Sequence, residues 1–72
     1  MKLKPYQQRV VDEKKELDRR CAKLVAFIND SDKFAKVNDD ERDRLERQST
    51  AMLEYSKILG ERIAAFTKKE EV

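Results

Sequence analysis

Apolar residues recur every seven positions in each half of the chain. Leu3, Val10, Leu17 and Leu24 form one ladder; Leu45, Met52, Leu59 and Phe66 form the other. That spacing keeps one stripe of a helix turned toward a partner helix. Around the first ladder, Tyr6, Cys21, Val25 and Ile28 fall at helical spacing, and Lys14 is the polar interruption. A lysine tolerates such a position because its stem lies along apolar surface while the ammonium reaches water. Around the second ladder, Ala51, Ile58 and Ala65 widen one flank, while Gln48, Tyr55 and Arg62 make the other polar or amphipathic.

Local signals set the ends of these helices. Pro5 suits a first helical turn because its fixed φ is already helical, and no Gly or Pro follows until Gly60. The polar run Asn29-Asp30-Ser31-Asp32 ends the first helix, since short polar side chains compete for backbone hydrogen bonds. One short turn is expected over 33–37, with Phe34 and Val37 closing that end of the core. Asn38 or Asp39 is a good N-cap for the second helix, and Asp40 and Glu41 suit its positive first turn. The prediction is an all-α helical hairpin in one domain: a helix over about 5–29, a connector over 30–38, an antiparallel helix over about 39–67, and a frayed tail at 68–72. Gly60 falls inside the second helix, at a cost of about 1 kcal/mol relative to Ala. It marks either a close approach by a neighbour or a tolerated exposed site.

Size then changes the picture. A chain of 72 residues buries only about 60% of its unfolded surface, so a lone hairpin is marginal. Small domains are commonly supplemented by disulfides, a structural metal or oligomerisation. One cysteine, Cys21, and no histidine leave no intrachain disulfide and no plausible zinc set. Homo-oligomerisation remains, giving a coiled-coil-like helical bundle. Cys21 reads as a small buried apolar residue, with no histidine to activate its thiol. No cofactor, metal or membrane span is expected, and a lone cysteine without an export signal fits a reducing cytoplasm.

The charges are numerous but balanced: 17 basic against 15 acidic groups, net +2. That is too weak for strong duplex nucleic-acid binding, which needs several phosphate contacts. Their distribution is uneven. Residues 1–28 carry eight basic and four acidic groups, whereas residues 29–47 carry five and seven. An anionic ligand would therefore meet the first helix. No nucleophile has an obvious base, no glycine-rich phosphate loop exists, and the carboxylates lie beside Lys or Arg as on any solvated helix. Catalysis is not expected.

The segment KLKPYQQRV concentrates the remaining chemistry. Lys2, Lys4 and Arg9 surround Tyr6. A ring beside cationic groups is what a nucleobase and its phosphates require. Antiparallel pairing brings Arg62, and with it Phe66, toward the same end. Tyr6, Arg9, Arg62, Lys2 and Lys4 are thus the candidate ligand-binding residues. The structural alternatives are Tyr6 packed on a neighbouring helix and Arg62 paired with Glu13 within or between chains.

The run Pro5-Tyr6-Gln7-Gln8-Arg9-Val10, followed by Glu13, Glu16-Leu17 and Phe27-Ile28, resembles a family of small phage-encoded proteins. Met52, Tyr55, Leu59, Arg62-Ile63 and Phe66 continue the likeness. In architecture the chain also resembles the anti-CBASS and anti-Thoeris helical sponges of phages. The resemblance implies a phage product in the bacterial host cytoplasm that oligomerises and sequesters a cyclic nucleotide or related immune signal. In that role Tyr6 would stack on a base, Arg9 and Arg62 would hold phosphates, and Lys2 and Lys4 would add attraction. The alternative is a non-enzymatic interaction module that blocks a host or phage protein.

Overall fold

The computed structural model describes residues 2–68; Met1 and residues 69–72, which include most of the tail expected to fray, lie outside the described residues. Three helices follow in order: α1 over Pro5–Ile28, a single turn α2 over Ser31–Phe34, and α3 over Asp39–Lys68. The long helices α1 and α3 pack along each other, in a rod 51 Å long and 16 by 15 Å across. No described helix is long and apolar enough to cross a membrane.

Each boundary has a local cause. Pro5 opens α1, and the Lys4 amide donates to Gln7 Oε1 at 2.8 Å, so one donor ahead of the helix is satisfied. At the far end the Asn29 amide closes on the Val25 carbonyl at 2.9 Å and the Asp30 amide on Phe27 at 3.1 Å. The connector turn begins two residues earlier than its composition suggests. The Asp30 carboxylate accepts the Lys33 amide at 3.2 Å, which makes Asp30 an N-cap and starts helix at Ser31. Asn38 caps α3, its Oδ1 accepting the Glu41 amide at 2.9 Å. Three acidic residues, Asp39, Asp40 and Glu41, then occupy the first turn of α3, where the helix dipole favours negative charge.

Val10, Cys21 and Leu59 form the buried core, and Leu59 is wholly enclosed. Leu3, Leu17, Leu24, Leu45, Met52 and Phe66, the other ladder residues, are half-buried. At the connector end Phe34 sits edge-on to Phe27, ring centroids 6.1 Å apart. Phe34 and Val37 are half-buried there. Two helices can cover only one side of each other, which explains so short a list of buried residues.

A polar cluster interrupts the seam at mid-length. Lys14 Nζ donates to Ser56 Oγ at 3.0 Å and to Asp18 Oδ2 at 2.7 Å, and Ser56 Oγ donates to the other Asp18 oxygen. Gly60 lies next to it: a Cβ added there would meet Lys14 Cε at 3.3 Å. Gly60 therefore marks a close approach, and the neighbour is the lysine stem rather than helix backbone. Lys14 against Ser56 and Gly60, with Asp18 against Ser56, fixes the antiparallel register.

Candidate functional site

The two ends of the rod differ in charge, and the candidate residues collect at the basic one. Tyr6 stands in the first turn of α1 and is 53% exposed. Lys2, Lys4 and Arg9 are exposed around it. Proline at the head of the helix and the Gln7 carbonyl on the Lys4 amide hold the backbone of this segment. One turn on, Gln8 Nε2 donates to Asp12 Oδ1 at 2.9 Å.

Carried along α3, the register set by Lys14, Asp18, Ser56 and Gly60 puts Arg62 level with about residues 8–12, on the same half of the rod as Tyr6. Arg62 is exposed as well. The structure shares this end among them without joining them. Among the described residues no hydrogen bond or ion pair links Tyr6, Arg9 and Arg62, and the intrachain Arg62–Glu13 pair does not form. Phe66 is half-buried beside the seam. These groups give this end of the rod an exposed ring and exposed cations.

Two grooves lie away from these residues. Glu13, Glu16, Leu17, Arg20 and Tyr55 line a groove of about 300 Å³ between α1 and α3. The Glu16 carboxylate accepts from both Arg19 and Arg20, and these bonds, Arg19's first, hold its pKa below 4.5. A second groove, lined by Phe34, Asp39, Arg42, Asp43 and Glu46, lies at the connector end. Among the described residues no group of carboxylates or thiols has metal-binding geometry. The ion pairs of the described residues all join positions three or four apart within one helix. They describe solvated helix faces.

Sequence reasoning did not single out Ser56 or Asp18, although both belong to the polar cluster. A signal was present: Ser56 falls between Met52 and Leu59 on the inner stripe of α3, and Lys14 breaks the stripe of α1. Two polar residues facing one seam require each other as partners.

A family model described as Sequestin matches residues 4–65, nearly the whole of the two helices. The chain belongs to the Sequestin family. Comparison with curated proteins and with solved structures returns no match. The name Sequestin suggests a sequestering, binding role, and no enzyme family is indicated. The region shared with the Sequestin family contains Lys4, Tyr6, Arg9 and Arg62; Lys2 precedes it.

Proposed function

We propose that this member of the Sequestin family is a phage anti-defence protein that oligomerises and sequesters an anionic, nucleotide-like host signal, a cyclic oligonucleotide or a related compound, in the bacterial cytoplasm. The observation that supports this reading most is the exposed ring of Tyr6 set among Lys2, Lys4 and Arg9, at the end of the rod that Arg62 shares. An aromatic face left in water offers a stacking platform for a base. Guanidinium groups beside it offer forked donors to phosphate. Binding alone inhibits in such a scheme, by lowering the free concentration of the signal.

The test is a thermal-shift screen of the purified protein against cyclic di- and trinucleotides and ADP-ribose-type compounds. A ligand at a hundredfold excess over Kd stabilises by about 2.7 kcal/mol through mass action. Tyr6→Ala and Arg9→Ala should each abolish that shift while leaving helix content and oligomeric state unchanged. If either variant loses its oligomer instead, these residues are structural and the assignment of the site fails.

A second reading has its own support. Leu53 keeps 57% of its surface in water, an apolar side chain suited to a protein partner. On that reading the chain is an interaction module that blocks a host or phage protein. No nucleotide would then shift its melting, and Leu53→Asp would abolish capture of the partner.

A further inference from the structure

Besides the stripe that meets α1, α3 carries another. Ala51, Tyr55, Ile58, Arg62 and Ala65 recur at alternating steps of four and three, the spacing of a coiled-coil seam; at 3.6 residues per turn they share one flank of α3, not the opposite flanks expected above. All five are exposed. Tyr55 and Ile58 each keep 43% of their surface in water. Leu53 belongs to a different face, about 140° around the helix from Ile58 at 3.6 residues per turn.

The order of these residues is self-complementary. Centred on Ile58 it runs small, ring, aliphatic, guanidinium, small. A second copy laid antiparallel about a two-fold axis at Ile58 puts alanine on alanine at both ends. It also puts Tyr55 against Arg62 of the partner subunit, and the reverse. Isologous contacts have this property, since each residue pair occurs twice. Alanine at the flanks lets two helices approach closely, and a guanidinium over a tyrosine ring is a favourable cation–π contact.

The groove beside Tyr55 adds a carboxylate to the same pairing. Glu13 lines it and has no ion-pair partner among the described residues. A ring from α3 and a carboxylate from α1 line this one groove, where Arg20 is already paired with Glu16, and together they suit an incoming guanidinium.

We infer that a second copy of this chain covers the outer stripe, α3 against α3, with Ile58 on the two-fold axis and Arg62 of the partner subunit in the groove beside Tyr55. This gives a face to the oligomer of the proposed function, on which it rests, and is independent of the ligand. It also refines the role of Arg62. Stacked by its face on the ring, the guanidinium still presents its N–H edge outward, where a phosphate can reach it.

Cysteine cross-linking decides it. Ile58→Cys and Leu53→Cys are each made with Cys21→Ala, oxidised mildly and run on a non-reducing gel. The Ile58 variant should convert almost fully to a covalent dimer, and the Leu53 variant should not. Light scattering of the wild-type chain should give a multiple of two chains, and Ile58→Glu should give the 8.5 kDa monomer with its helical circular dichroism retained. A monomeric wild type at high micromolar concentration, or equal cross-linking at both positions, would overturn the proposal. Should Ile58→Glu not fold, the cysteine pair still decides. The nucleotide screen is read separately: a dimer through Ile58 with no nucleotide shift sinks the ligand and keeps the interface. A nucleotide shift in a chain that does not cross-link at Ile58 does the opposite.

Discussion

The middle of the hairpin and its open end are built from similar residues used in opposite ways. At the middle, Lys14, Asp18 and Ser56 satisfy one another across the seam, over a glycine that admits the lysine stem. At the open end, Tyr6, Arg9 and Arg62 are exposed and none is joined to another. Polar groups with internal partners specify how two helices sit; polar groups left in water are available to something else. The difference separates residues that hold the fold from residues that can bind.

The sharpest way to break that comparison is at Leu59. It is fully enclosed, so Leu59→Ala removes packing that cannot be replaced and should cost about 2–5 kcal/mol. For a domain this small that is much of the total stability. Tyr6→Ala, at a half-exposed ring on the rim, should cost well under 1 kcal/mol. Urea unfolding followed by circular dichroism compares the two directly. Similar losses would show that the open end is as structural as the middle.

Much of this contrast was legible in the sequence, for identifiable reasons. The seven-residue ladders predicted two packed helices, and Leu59 at the third step of its ladder is the most enclosed of the described residues. A buried Cys21 followed from its spacing with Leu17 and Leu24. The position of the connector turn was less legible. It depends on which of several short polar residues caps, and the Asp30 carboxylate rather than the later residues takes that role. Periodicity placed Tyr55 and Ile58 on flanks of α3 but assigned them no partner, because it reports which face a residue occupies and not whether that face is covered. The candidate site rests on chemistry alone, since exposed cations around a ring leave no packing signature.

A smaller effect sharpens the comparison at Gly60. Replacing a helical glycine by alanine gains up to about 1 kcal/mol of helix propensity. The new methyl would stand 3.3 Å from Lys14 Cε, tight enough that the lysine stem must give by a few tenths of an ångström. The stem is flexible but its ammonium is held by Asp18 and Ser56. Gly60→Ala should therefore stabilise by less than the full propensity gain, about 0.5 kcal/mol. Gly60→Ala combined with Lys14→Ala, which removes the neighbour, should recover the missing part as a non-additive gain in a double-mutant cycle. Additive effects would mean that the lysine stem does not pack on Gly60.

Acid tests the same cluster more gently. The Asp18 carboxyl lies below its ordinary 3.8, because it accepts first from the Lys14 ammonium and then from the Ser56 hydroxyl. Glu16 lies below 4.5 through Arg19 and Arg20. With both pKa values lower in the folded chain, the unfolded chain binds more protons in the interval between them. Their contribution is thus fully present above the unfolded values and is lost as pH falls through the folded ones. Both carboxylates face water, so the effect is modest and weakens with salt. Melting temperature should be flat from pH 7 to 5 and fall below pH 4. Asp18→Asn, which keeps the shape of the side chain without its charge, should flatten part of that fall and leave the share due to Glu16. A variant whose acid profile overlays the wild type would show that the Lys14–Asp18–Ser56 cluster carries no net charge coupling.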